Sequence, residues 1–255
     1  MVLVRLHGRR RETRGVRRAL DVRPTKIVGV HLSYPSRVEE YAARTPDEPS
    51  YFLKPPSSLA RHGDEIVRPR GCRYLNYEGE VAVVVAQRMK RVREEDALSC
   101  LAGYTPANDF GVHDFRHADR GSMLRVKGQD GFCPLGPDLV DAADVDPENL
   151  ALRTYVNGEL VQQGNTGELL WPIAYMLADL SRLVTLEPGD VLLSGTPANS
   201  RPVDPGDVVE VEVEGIGRLS NRIVEAKDDL APVGVMPADT PNARHVALAV
   251  PEEAA

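Results

Sequence analysis

The chain is poor in cysteine, in long apolar runs and in excess positive charge, and each shortage removes a class of protein. Its three cysteines, Cys72, Cys100 and Cys133, are too few and too scattered for a disulfide framework or a Cys-x-x-Cys metal site. They read as reduced, packed thiols, which points to a cytoplasmic protein. No apolar run approaches the ~20 residues of a membrane-crossing helix, so no membrane partner is expected. Residues 1–6 are too short and too quickly charged for a secretory leader. A net charge of −7 argues against a general nucleic-acid binder.

What remains is ordinary for a globular protein and large enough for a substantial core: 255 residues, 42% hydrophobic and 27% charged. The one basic concentration is N-terminal, with Arg5, Arg9, Arg10, Arg11, Arg14, Arg17, Arg18 and Arg23. Such a cluster can bind nucleic acid or serve as a transit segment. Against the acidic balance of the rest, a short polar hairpin turning at Gly8 and Gly15 is the simpler reading. Ile27-Val28-Gly29-Val30 reads as a first core strand, residues 34–44 as a short helix, and Tyr51-Phe52-Leu53-Lys54 as a strand stopped by Pro55-Pro56. Residues 57–73 read as loop. Residues 93–103 read as a helix with Ala97, Leu98, Leu101 and Ala102 on one side and Gly103 as C-cap. Residues 104–124 read as a charge-rich loop containing His113, Asp114, Arg116, His117, Asp119 and Arg120, and such a loop directly after a candidate ligand is where substrate contacts are expected. Asn157-Gly158 between alternating runs is a hairpin signal, and Pro172 opens a helix striped by Ile173, Met176, Leu177, Leu180 and Leu183. Three segments result: a small N-terminal lobe over residues 1–56, a larger domain over 57–225, and a poorly ordered tail rich in Ala, Pro and acids over 226–255.

The informative stretch runs over residues 76–137. Glu78 and Glu80 are two apart, so in a strand they project from one face. They lead into Val81-Ala82-Val83-Val84-Val85, apolar at every position, as in a strand buried on both faces. Two carboxylates at such a strand's mouth repel and lose hydration unless a cation lies between them. Asp109 is the nearest third oxygen donor, and an all-carboxylate set suits Mg, Mn or Ca better than Zn or Cu. A solvated strand face is the competing explanation. Glu210, Glu212 and Glu214 alternate strictly with valines and are best read that way.

The ordered set Tyr77-Glu78-Gly79-Glu80-Val81, Ala102-Gly103-Tyr104 with Asn108-Asp109, Lys127-Gly128-Gln129-Asp130-Gly131-Phe132, Thr185-Leu186-Glu187-Pro188-Gly189-Asp190, Ser194-Gly195-Thr196-Pro197 and Pro205-Gly206-Asp207 resembles the fumarylacetoacetate hydrolase family over residues 26–225. Arg125-Val126-Lys127, the run from Arg153 through Asn157-Gly158 to Gly164, and Val213-Glu214-Gly215-Ile216-Gly217-Arg218-Leu219 are similar to one branch of that family. That branch holds the 2-hydroxyhepta-2,4-diene-1,7-dioate isomerase and 5-oxopent-3-ene-1,2,5-tricarboxylate decarboxylase enzymes of homoprotocatechuate degradation. The resemblance implies an α+β, mostly β fold, a rolled mixed sheet with few helices, and a homodimer. It implies Glu78, Glu80 and Asp109 as ligands of Mg2+ or Mn2+, with Ca2+ as a substitute in crystals. Lys127 would be catalytic, and Thr196, Gly195 and Gln129 would contact a small 2-oxo acid.

The lid departs from the family. Acylpyruvate hydrolases carry Asn-Tyr-x-x-His-x-x-Glu, whereas the corresponding run here is Ser33-Tyr34-Pro35-Ser36-Arg37-Val38-Glu39-Glu40. Tyr34 and Glu40 survive, but the histidine position is Arg37, which cannot act as an ordinary base. Arginine suits a second carboxylate, so Arg37 and Tyr34 are assigned to substrate binding, with Glu40 and His31 left for proton handling. The resulting expectation is a metal-dependent isomerase or decarboxylase of unsaturated 2-oxo or 2-hydroxy dicarboxylic acids in aromatic catabolism, working through an enolate stabilised by the metal. An acylpyruvate hydrolase or oxaloacetate decarboxylase is the alternative. A metal-retaining binding protein without turnover is the reading from another class.

Overall fold

The computed structural model describes residues 17–119 and 121–251. The arginines between residues 5 and 14 therefore lie outside the described residues. Arg17–Ala19 is a strand that pairs with Asp138–Asp141, and the hairpin read around Gly8 and Gly15 lies outside the described residues.

The fold is mostly β, as the resemblance implies. Its larger sheet runs in the order Arg17–Ala19, Asp138–Asp141, Leu101–Asn108, Gly79–Val85, Val191–Leu193, Ile27–His31 and Ser50–Lys54. Cys133–Leu135 joins Leu101–Asn108 and carries Leu59–Arg61 beside it. The sheet is mixed, since Val191–Leu193 runs parallel to Ile27–His31 and antiparallel to Gly79–Val85. A second sheet orders Glu159–Asn165, Ala151–Val156, Val208–Val213, Gly217–Glu225 and Glu65–Arg68.

Gly79–Val85 sits at the middle of the larger sheet and is buried at all seven positions. Its Val81, Val83 and Val85 pack with Leu152, Val211 and Val213 of the second sheet and with Met176 and Leu177 of the helix Ile173–Leu183. Ala82 and Val84 pack the opposite way, against Ile27, Leu135 and Leu139. A strand with cores on both faces needs no polar alternation, which is the physical content of its unbroken apolar run. Glu80 belongs to the Ala82 and Val84 face, so the period of two delivers it beyond the core to the sheet's end.

The hairpin forms as its turn chemistry requires, with Asn157 and Gly158 both at positive φ, 51° and 84°. Val208–Val213 alternates buried and half-buried positions, and Glu210 and Glu212 lie on its wetter face, paired with Arg218 and Arg153.

Four expectations are corrected. The helix read over residues 93–103 is only Glu94–Ala97 and a single 3-10 turn, Leu98–Cys100, before the strand Leu101–Asn108. Seven register pairs with the central strand outweigh a local apolar spacing that fits either element. Residues 57–73 are not all loop, because Leu59–Arg61 and Glu65–Arg68 find sheet edges. Leu183 leaves the apolar stripe of its helix and is 79% exposed. The tail read as poorly ordered carries the helix Pro241–Leu248, capped by the Thr240 side chain and docked through the fully buried Ala243 and Ala247. No helix among the described residues is long and apolar enough to cross a membrane.

Candidate active site

Glu78, Glu80 and Asp109 converge: one ligand oxygen from each lies within 4.8 Å of the others. Gly79 separates the two glutamates in the strand, and its missing side chain leaves room for Thr154 of the second sheet, which a Cβ would strike. Asp109 follows directly on Asn108, which is paired with Gly79 across the sheet. Its N–H donates to the Glu78 carbonyl at 2.8 Å, and the Asn108 side chain accepts the Glu78 N–H at 2.8 Å. The backbone therefore locks the two strand ends together, and with them the carboxylates.

The charges around this triad are finely divided. Lys127 Nζ bridges Glu78 at 2.6 Å and Asp109 at 2.9 Å, and donates to the Asp109 carbonyl at 2.6 Å. Lys54, fully buried, pairs with the other Asp109 oxygen and donates to the Phe132 carbonyl at 3.1 Å. Burial opposes the Asp109 carboxylate, but Lys127 and Lys54 outweigh it and hold that carboxyl below its usual range. Glu80 has no such cation. Burial, then the charges of Asp109 and Glu78, push its carboxyl well above the ordinary range, and its one protein donor is the Gly195 N–H at 2.6 Å. Three carboxylate donors, Glu80 and Asp109 buried and Glu78 half-buried, carry more negative charge than the lysines neutralise and fit a hard divalent cation.

A cavity of about 210 Å³ opens onto Glu78, Glu80 and Lys127. Its walls include His31, Arg37 and Thr196, three of the residues singled out from the sequence. Arg37 is held by Glu40 at 2.6 Å and Glu78 at 3.4 Å, with its guanidinium 4.4 Å over the Tyr41 ring. Glu40 is in turn held by Arg201 at 2.6 Å and the Asn199 N–H at 3.0 Å. Burial alone would raise the Glu40 carboxyl, but Arg37 and Arg201 keep it below its usual range, the opposite of what a general base at neutral pH needs. Burial and then Lys127 push the His31 imidazole down, so that it is neutral at pH 7.

The remaining assignments are rearranged. Tyr34 is completely buried behind the wall, and burial with the charge of Glu80 raises its phenol. The Gly195 N–H is committed to Glu80 and has nothing left for a substrate carboxylate. Thr196 Oγ accepts from Gln162 Nε2 at 3.0 Å, which leaves its O–H free to donate into the cavity. Gln129 is half-buried outside the cavity, and its side chain donates to the Arg125 carbonyl at 2.7 Å.

Four further residues of the site had no individual role from sequence, although His113 and Arg116 belong to the charge-rich loop expected to carry substrate contacts. His113 lines the cavity, is 1% exposed, and has no hydrogen-bond partner on either ring nitrogen. Arg116 also lines it and has no carboxylate within ion-pair reach among the described residues. Both follow Asp109 within a short span, where a 3-10 turn, His113–Phe115, and the helix Arg116–Asp119 bend the chain back over the site. Lys54 shares a strand face with Phe52, two residues away, which was its only signal. Val246 comes from the C-terminal helix, and nothing in the sequence connects it to this cavity.

Residues 26–224 match the family model described as fumarylacetoacetate (FAA) hydrolase C-terminal. The chain is 42% identical over 199 residues to a 4-hydroxyphenylacetate degradation bifunctional isomerase/decarboxylase of Salmonella dublin, covering 78% of this chain and 46% of that protein. It thus spans about half the length of such curated relatives. Among solved structures, it is similar to a 5-carboxymethyl-2-hydroxymuconate delta-isomerase from Mycobacterium smegmatis, with TM-score 0.75, 37% identity and 81% of each chain covered. A 2-hydroxyhepta-2,4-diene-1,7-dioate isomerase from Mycobacterium marinum matches with TM-score 0.74 and 36% identity, over 81% of this chain and 77% of that one.

Proposed function

The chain belongs to the fumarylacetoacetate hydrolase family, and we propose that it is a divalent-metal-dependent isomerase or decarboxylase of unsaturated 2-oxo or 2-hydroxy dicarboxylic acids in aromatic catabolism, working as a homodimer. The observation that carries this reading is the convergence of Glu78, Glu80 and Asp109 on one point, with Lys127 beside them at the wall of a cavity. The named activities of similar proteins support the substrate class. Mg2+ or Mn2+ is the proposed ion, since three carboxylates on two adjacent strand ends make a hard, oxygen-only site. When bound, it would supply Lewis acidity at the C2 oxygen of a 2-oxo acid.

The chain's own residues do the rest. Lys127 keeps a fixed positive charge at the site, because Asp109 and Glu78 hold its ammonium above the usual range against the cost of burial. Thr196 offers its hydroxyl hydrogen to the C1 carboxylate. Arg116 faces the cavity with no acidic partner among the described residues, and so meets the second carboxylate of a dicarboxylic substrate. Arg37, already shared between Glu40 and Glu78, orders the lid against the site instead. Glu40 anchors Arg37 and takes no proton.

One observation favours the alternative. His31 is a neutral imidazole in the wall and could activate water for C–C cleavage of an acylpyruvate. A panel with Mg or Mn over oxaloacetate, acetylpyruvate and the intermediates of homoprotocatechuate breakdown separates the readings. Isomerisation or decarboxylation of the unsaturated dicarboxylic acids is the expected result. Acetylpyruvate cleavage as the dominant activity would reverse the ranking, and binding without turnover of any substrate would leave a non-catalytic metal protein.

A further inference from the structure

The C-terminal helix Pro241–Leu248 lies beyond residues 26–224, the part of the chain that matches the family. It nevertheless reaches the active site from outside. Val246, 8% exposed, lines the same cavity as Glu78, Glu80 and Lys127. The helix is fastened to both walls of that cavity. On the lid side, Tyr41 Oη donates to the Val246 carbonyl at 3.1 Å, and the Tyr41 ring packs under Arg37, which reaches Glu78. Two side chains in series thus separate Val246 from the nearest triad carboxylate.

On the opposite side, the helix packs against His113–Phe115, and the Ala238 N–H just before it donates to the Asp114 carbonyl at 2.9 Å. Tyr74 Oη donates to Asp239 at 2.9 Å, and Asn76 Nδ2 donates to the Ala247 carbonyl at 2.9 Å. The helix is thus docked at both ends, while the segment leading in is exposed at Val233, Val235 and Met236.

We propose that this helix is the substrate-length gauge of the enzyme: Val246 forms the part of the cavity wall remote from the triad and stops the chain of the dicarboxylic acid there. The physical case is that an apolar side chain with its carbonyl pinned by Tyr41 cannot retreat, so a ligand one methylene too long meets a fixed surface. A misfit of one methylene against an apolar wall is worth roughly 10–200-fold in discrimination. The inference rests on the dicarboxylate reading of the cavity given above.

Two probes separate the two ideas. Oxalate occupies only the triad, Lys127 and Thr196. The saturated 2-oxoheptanedioate extends further along the cavity. Calorimetry in Mg2+ should find both binding the wild type. Val246→Trp should weaken 2-oxoheptanedioate at least ~10-fold and leave oxalate within about twofold. Val246→Ala should relax the limit, admitting the eight-carbon homologue more tightly than the wild type does. Because Trp can also undock the helix, a second readout is protease nicking at residues 233–236. In the wild type, 2-oxoheptanedioate should slow it at least threefold and oxalate should not, since only the longer ligand reaches Val246. Parallel changes in both ligands, or no protection, would overturn the gauge while leaving the dicarboxylate reading intact. Failure of 2-oxoheptanedioate to bind the wild type, with oxalate still bound, would overturn both.

Discussion

Glu80 is where the chemistry of the site concentrates. Its carboxylate is buried, faces two other acids, and among the described residues receives only the Gly195 N–H, so it stands under electrostatic load. A divalent ion relieves that load, and Glu80→Gln removes both the load and a ligand. The variant should fold with unchanged or raised thermal stability while metal affinity, measured by calorimetry, falls by ~100-fold or more. A Glu80→Gln protein that binds Mg or Mn as the wild type does would remove the triad as the metal site. Lys127 tests the substrate side. Oxalate presents two adjacent oxygens, so it should bind only when metal is present. Lys127→Met should cost ~10-fold or more in oxalate affinity through the loss of one charge-assisted contact. Equal oxalate binding with and without Mg in the wild type would rule out chelation.

At the scale of elements, the proposed lyase chemistry and its hydrolase alternative part at the helix Pro35–Glu40. Its Arg37 spends its hydrogen bonds on Glu40 and Glu78 and its face on Tyr41, and so stiffens the lid against the metal strand. Decarboxylation and proton shifts need an electron sink and a proton source. Hydrolysis also needs a base to make hydroxide, a contribution of ~10²–10⁴-fold. Arg37→His should therefore raise the ratio of acetylpyruvate cleavage to dicarboxylic acid decarboxylation by ~10-fold or more, read as a ratio of specificity constants. An unchanged ratio would assign the base to His31. Arg116, on the other wall, predicts a different split: Arg116→Gln should raise KM for a dicarboxylic 2-oxo acid ~10-fold or more and spare oxalate affinity.

Over the whole molecule, Asp190 ties the sheet that carries the site. It accepts from Thr25 N–H and Oγ at 2.8 Å each, from the Lys26 N–H at 3.0 Å and from the Glu187 N–H at 2.7 Å, and it pairs with the Lys26 ammonium. These donors join the start of Ile27–His31 to the start of Val191–Leu193, the strand that ends at Ser194-Gly195-Thr196. Burial would raise the Asp190 carboxyl, but the Glu187 amide and the Lys26 and Thr25 donors hold it below its usual range. A carboxyl depressed in the folded state adds stability above the unfolded value of ~3.9 and loses it as pH falls through the folded value. Asp190→Asn should thus lower stability by roughly 1–3 kcal/mol at pH 7 and by less at pH 3, measured by urea unfolding at both pH values. An equal loss at both would show that the hydrogen bonds matter and the charge does not.

The sequence by itself determined the parts governed by short periods and turn chemistry. The doubly buried strand after Glu80, the Asn157-Gly158 hairpin, the helix after Pro172 and the solvated glutamates of Val208–Val213 all follow from spacing within about ten residues. The triad was legible because Glu78 and Glu80 share a strand face and Asp109 recurs in a fixed order of motifs. Tertiary structure decided whatever depends on contacts between distant segments. Leu101–Asn108 is a strand because the central strand takes its hydrogen bonds, although its local spacing suits a helix. Gly195 serves Glu80, and Gln129 turns away, because backbone direction and not residue type aims a side chain. His113 and Arg116 lie in the loop where substrate contacts were expected, but Val246 joins them in the cavity from more than a hundred positions away, and no local pattern encodes such a meeting.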